Sequence, residues 1–308
     1  MPFSRQDAEG ISNLSFMRII IVVIIILISA CSPKKQSRDE SDKFMPGQKM
    51  AELKNKAIRE ISGIAASINN PKLIWAHNDS GNGADVFLLD EQLDVKLICT
   101  LEGVENRDWE DIATGPGPDP SKHYIYVADI GDNQAKHQYK YIYRFEEPVL
   151  NQNESGKITI TSFDKITFQL SDVRKDTETL LVDPKTKNIY IISKREEPVN
   201  LYELKYPYNV EDTLLAQKLM SLPFTKIVAG DFSPDGNEIL MKNYDHVYYW
   251  NSSAKSFLEM LREEPLEIQY EVEPQGEAIA WAKDGGGFYT LSEENKKKKT
   301  YLYFYKRK

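Results

Sequence analysis

Asp108-Trp109-Glu110-Asp111-Ile112-Ala113 is followed by Tyr124-Ile125-Tyr126-Val127-Ala128-Asp129 and then by Lys140-Tyr141-Ile142-Tyr143-Arg144-Phe145. An acidic or small cluster leads into an apolar pair, a turn follows, and two runs rich in Ile, Val and Tyr come after it. Short β-branched and aromatic runs bounded by Gly, Asn, Asp and Pro are strand signatures. The opening phrase returns as Ile61-Ser62-Gly63-Ile64-Ala65, Thr177-Glu178-Thr179-Leu180-Leu181, Ala229-Gly230-Asp231-Phe232 and Gln275-Gly276-Glu277-Ala278-Ile279-Ala280. Second strands follow at 72–77, 188–193, 238–242 and 287–292, and third strands at 85–89, 200–204, 246–250 and 301–305. Residues 95–100 and 158–161 read as fourth strands of the first two repeats.

Self-similarity at a fixed period of roughly 40–50 residues marks propeller blades. The sequence therefore predicts an all-β fold, a single β-propeller over residues 49–308. The repeats number five, and the long interval between Glu110 and Glu178 leaves room for a degenerate sixth. The last repeat runs out at Lys308 without a fourth strand. A ring of blades needs its ends joined so that no long sheet edge stays open. Residues 49–58 are placed to supply the missing outer strand.

The N-terminal stretch carries a second message. Met17-Arg18 precedes an aliphatic run from Ile19 to Ile28, and Ser29-Ala30-Cys31 follows. The run is shorter than the ~20 residues needed to cross a bilayer core of about 30 Å. It has the proportions of a signal-peptide core. Leu27-Ile28-Ser29-Ala30-Cys31 resembles the lipobox of bacterial lipoproteins. That resemblance implies cleavage before Cys31, lipidation of Cys31, and anchoring to a membrane of the bacterial cell envelope, with the outer membrane expected. Residues 1–30 then form a signal peptide, with Met17 as the alternative start because 1–16 fit no signal pattern. Residues 31–48 form a polar, aperiodic tether. Lipidation leaves Cys99 alone, so the core and not a disulfide must hold the domain.

A net charge of −8 over 308 residues argues against nucleic acid as partner, since phosphate recognition needs clustered Lys and Arg. The basic run 296–299 falls between two strands of the last repeat and reads as a solvated hairpin loop. No Gly-x-Ser-x-Gly elbow, His-Glu-x-x-His or P-loop is present. Four histidines (His77, His123, His137 and His246) argue against a zinc site built from several imidazoles.

In a propeller the first strand of each blade lines a central channel. The repeat phrase therefore places Glu110, Asp111, Glu178, Asp231 and Glu277 near one axis, as candidate metal ligands. Carboxylates gathered in a partly dry space raise one another's pKa unless a cation neutralises them. Oxygen donors suit a hard cation, and Ca²⁺ takes six to eight of them. Loops after the second strands add His77, Asp79, Asp129 and Asp132 as channel or ligand candidates. Lys194 and Lys242 stand at matching places, where they would contact a ligand or neutralise the same carboxylates. The competing reading is plain structure. Inner-strand polar groups hydrogen-bond across a water-filled channel, and Asp79-Ser80-Gly81-Asn82-Gly83 is a tight turn lacking the spacing of an EF-hand.

Glu60-Ile61-Ser62-Gly63-Ile64-Ala65, Asp108-Trp109-Glu110-Asp111-Ile112-Ala113 and Gln275-Gly276-Glu277-Ala278-Ile279-Ala280 resemble phrases of the phytase-like esterase and SdiA-regulated groups of bacterial propeller proteins. The resemblance covers most of residues 58–306. It implies a secreted or envelope propeller, with a calcium-bearing channel in some relatives, and no particular substrate. Two functions follow. The favoured one is a non-catalytic lipoprotein whose channel rim binds a small molecule or an envelope protein. The alternative is a calcium-dependent hydrolase of a phosphoester or lactone, with carboxylates holding the metal. The alternative requires Glu110, Asp111, Glu178 and Glu277 to converge on one point. The favoured reading tolerates their pairing with Lys194 or Lys242.

Overall fold

Twenty-one strands and almost no helix follow from this patterning in the computed structural model, which describes residues 43–150, 156–251 and 254–308. The expected signal peptide, Cys31 and residues 31–42 of the tether lie outside the described residues. Residues Glu40–Lys308 form one compact unit.

The first sheet has the order β2 (Ile61–Ala66), β3 (Ile74–Asn78), β4 (Asp85–Leu89), β5 (Val95–Leu101) and β9 (Gly156–Ile160). The second meander runs through β6 (Trp109–Pro116), β7 (His123–Asp129), β8 (Lys140–Glu146) and β10 (Asp164–Leu170). The third runs through β11 (Thr177–Val182), β12 (Ile189–Ser193), β13 (Val199–Leu204) and β14 (Thr213–Leu222). A parallel pairing of β10 with β14 fuses these two into one eight-stranded sheet. The fourth sheet holds β15 (Ala229–Phe232), β16 (Glu238–Lys242), β17 (Val247–Asn251) and β18 (Leu266–Ile268), with the short helix α1 (Phe257–Met260) before its last strand. The fifth holds β19 (Ala278–Trp281), β20 (Gly287–Leu291) and β21 (Tyr301–Lys306), completed by β1 (Gln48–Glu52).

The leading strands β2, β6, β11, β15 and β19 pack side by side in that order, and β19 packs back on β2. Five hydrophobic clusters fill the spaces between neighbouring meanders. Because β3, β12, β16 and β20 are covered on both faces, they are buried along their whole length and do not alternate. Outer strands such as β5 do alternate. All five clusters lie within residues 40–308, so this unit is expected to fold by itself.

Two expectations are corrected. Residues 158–161 are not the fourth strand of the second repeat. Residues 158–160 belong to β9, which pairs in parallel with β5 at the edge of the first sheet, while β10 takes the fourth place. The long interval after Glu110 therefore includes β9 as well as the second meander's own strands. The folded body also begins before residue 49. Phe44 is buried beside the rings of Phe288, Tyr249 and Trp281 at 5.0, 5.6 and 5.9 Å, and bridges to Arg307. The expected outer strand is present as β1, antiparallel to β21 with Gln48 opposite Phe304 and Glu52 opposite Tyr301. Phe44→Leu keeps most of this apolar volume and is expected to cost about 1.5 kcal/mol, measured by urea unfolding.

Candidate functional site

Three leading strands are irregular at the same place. The ladder slips between Ile61 and Gly63 in β2, between Trp109 and Asp111 in β6, and between Thr177 and Thr179 in β11. The bulged residues are Ser62, Glu110 and Glu178. A bulge re-aims a side chain and interrupts pairing, and here it turns two glutamates towards each other at one end of the strand ring.

Glu110 belongs to two groups of three carboxylates. Asp79, Asp108 and Glu110 form one, and Glu110, Asp176 and Glu178 form the other. Within each group the oxygens lie within 4.8 Å of one another. Glu110, Asp176 and Glu178 are buried, while Asp79 and Asp108 are half-buried. Gly131 leaves room for them, because a Cβ there would collide with the Glu110 and Asp108 carboxylates. Lys194 Nζ stands 2.9 Å from Glu178 and 3.7 Å from Glu277, and Tyr244 donates to Glu277 at 2.5 Å. Arg195 Nε donates to Asp176 at 2.6 Å.

The electrostatics follow from burial. Desolvation pushes Glu178 up to about 7 against the opposing charge of Lys194. Burial, and then the neighbouring Glu178 charge, hold Glu110 well above the usual carboxylate range. Asp79 rises to about 6 and Glu293 to about 7, burial being the main cause in both. Burial opposes the charge on Lys194, but Glu178 and Glu277 outweigh it and raise its pKa. Two adjacent buried carboxylates cannot both ionise cheaply. The pair takes either a proton or a cation, and an all-oxygen donor set of this kind suits a hard divalent ion.

The other expected residues have different partners. Asp111 is buried and accepts from Ile112 N and Leu180 N at 2.9 Å each, so it joins β6 to β11 and is absent from the converging groups. Asp231 likewise accepts from Trp281 N at 2.8 Å, joining β15 to β19 near their far ends. Glu277 stands outside both converging groups and meets them as the second partner of Lys194, at 3.7 Å. Asp129 accepts from Asp108 N at 3.2 Å and lies 3.4 Å from Arg107. Asp132 accepts from Lys136 N and His137 N at 2.8 Å each, closing its own loop. Lys242 is fully buried, donates to Gly276 O and to Tyr270 at 3.1 Å, and lies 3.7 Å from Glu273. It therefore leaves the rim carboxylates to Lys194. His77 is not in a loop but inside β3, buried edge-on to Trp109. Burial lowers its pKa to about 4, so the ring is neutral.

Asp108, Asp176, Glu293, Tyr244 and Arg195 were missed. A usable signal existed for two of them. Asp108-x-Glu110 and Asp176-x-Glu178 share a spacing that sets both side chains on one side of an extended chain. No protein-family model matches the chain and no curated protein matches it, so the reading of this site stands on its own geometry.

Proposed function

We propose that residues 43–308 are a single five-bladed β-propeller whose acidic rim binds a divalent cation of the Ca²⁺ type. Five meanders, five intervening cores and a last leading strand packed against the first support this architecture. In this reading the rim, with Lys194 beside it, receives an anionic small molecule or envelope protein. The chain is held at the bacterial envelope by lipid on Cys31. The observation that carries the cation is Glu110, shared by two groups of desolvated carboxylates. When bound, the cation would supply positive charge at the rim. Glu110 and Glu178 would hold it from the bulges, Asp79, Asp108 and Asp176 from the flanking loops, and Lys194 would stay paired with Glu277.

The test is thermal unfolding of residues 40–308 with calcium and with a chelator. At a hundredfold excess over Kd, a ligand of the native state stabilises by about 2.7 kcal/mol, a midpoint rise of about 5 °C for a domain of this size. The combined change Glu110→Gln and Glu178→Gln should remove that rise. An unchanged midpoint at millimolar calcium in the wild type would sink the cation.

A second reading, a calcium-dependent hydrolase of a phosphoester or lactone, is favoured by one observation. Glu110 and Glu178 converge as the hydrolase requires, although Asp111 and Glu277 stand outside the converging groups. Turnover of aryl phosphate or lactone substrates that is lost in Glu178→Gln would support it. Absence of turnover with calcium bound leaves the binding role.

A further inference from the structure

The far end of the strand ring has opposite chemistry. A cavity of about 310 Å³ opens there, walled by Ala66 of β2, Thr114 of β6, Val182 of β11, Phe232 of β15 and Trp281 of β19. Every leading strand contributes, so the cavity is axial. Its volume lies at the lower end of the range for small-molecule sites, which are mostly apolar with a few placed polar groups. One such group is Asp231, half-buried on the wall.

Asp111 and Asp231 both join adjacent leading strands through backbone N–H groups, but their settings differ. Asp111 is fully buried, with one N–H on each oxygen. Asp231 keeps access to the cavity. The groups acting on it are its burial and the N–H of Trp281 and Phe232, with no cation among them. His123 and Lys283 also line the cavity, but neither is ion-paired with Asp231: His123 Nδ1 meets Asn69 Oδ1 at 2.8 Å, and Lys283 donates to Ile68 O. An uncompensated carboxylate in a low-dielectric wall favours a positive group brought to it.

We propose that this second mouth is a binding site for a small amphipathic amine, with its apolar body in the cavity and its ammonium group on Asp231. The wall of Val182, Phe232 and Trp281 receives the body by burial of apolar surface. The carboxylate selects amines over neutral or acidic molecules of the same shape. The inference is independent of the rim cation.

The probes are phenethylamine, 2-phenylethanol and 3-phenylpropionate, titrated calorimetrically into residues 40–308 at about pH 8.5, where Asp231 is ionised and the amine still protonated, in excess chelator. Phenethylamine should bind at least tenfold tighter than the alcohol, and the carboxylate weakest of all. Ala66→Leu, which places a larger side chain in the cavity, should weaken the amine at least tenfold. Asp231→Asn keeps an acceptor for Trp281 N and should bring the amine down to the level of the alcohol. Should that variant not fold, the ranking of the three probes and Ala66→Leu still decide. Amine binding that survives Ala66→Leu would locate it at the acidic rim and overturn the proposal. So would a carboxylate that binds as well as the amine, or no binding of phenethylamine at millimolar concentration.

Discussion

Glu147→Ala is expected to lower the unfolding free energy by about 4 kcal/mol, because it strands two buried and two part-buried donors at once. Glu147 lies just past β8 and is 1 % exposed. Its carboxylate accepts from Ser67 Oγ at 2.5 Å, Ile68 N and Asn69 N at 3.0 Å, and Trp75 Nε1 at 2.8 Å. These donors all belong to the first sheet and the turn after β2, whereas Glu147 belongs to the second meander. The residue therefore joins two neighbouring sheets by hydrogen bonds to a charged acceptor, the stronger kind. Ser67 can rotate to another acceptor, but the two backbone N–H groups and the indole cannot. Glu147→Gln keeps one oxygen acceptor and should cost about half as much. Urea unfolding followed by tryptophan fluorescence checks both variants. An alanine variant that loses less than about 1 kcal/mol would show that the turn finds other acceptors.

In the absence of divalent cations, stability is expected to fall as pH rises from about 5 to about 7.5, by on the order of 4 kcal/mol. The sign comes from the carboxyls whose folded pKa exceeds the ordinary value. Glu178, Glu293 and Asp231 reach about 7, and Asp79 and Asp129 about 6, with burial the leading cause for each. Between about 4 and about 7 the folded protein holds protons that the unfolded chain has released. That stability is complete at low pH and is lost as pH climbs through the folded values. His77 opposes the trend, since its pKa of about 4 makes the fold resist protonation as pH drops below the ordinary histidine value. One histidine does not offset five carboxyls. A cation that replaces the shared proton at Glu110 and Glu178 should reverse the effect, so calcium should stabilise more at pH 7.5 than at pH 5. Melting curves at several pH values, with chelator and with calcium, give both slopes. Equal calcium shifts at the two pH values would remove Glu110 and Glu178 from the binding site.

The strands were legible because each apolar run has a strand's length and composition, and the repeated order fixed which strand follows which. The position of β9 was not legible. Gly156-Lys157-Ile158-Thr159-Ile160 has a strand's composition, but nothing in it says which edge it will join. At the site, the acidic phrase correctly drew attention to Glu110 and Glu178. It equally drew attention to Asp111 and Asp231, because a repeat in sequence does not reveal a bulge. In β6 one residue of slip turns Asp111 from the ring's end into its wall, while Asp231 sits on the wall of β15, which has no such slip, and backbone N–H groups claim both. Lys194 and Lys242 also look interchangeable in sequence. Their fates diverge because Glu273 and Tyr270 surround Lys242, whereas Glu178 and Glu277 face Lys194.

The pairing of β1 with β21 has a mechanical side. β1 is the segment that the tether enters, so under the proposed lipid anchoring at Cys31 any pull from the membrane arrives first at this strand. Load transmitted there acts on the antiparallel ladder to β21 and on the plug formed by Phe44, with Arg307 over its ring at 5.4 Å. Under that anchoring, the latch of the ring and the leash of the protein are consecutive in the chain. Drag on a bound partner, under the same anchoring, would be opposed first by this ladder within the fifth meander.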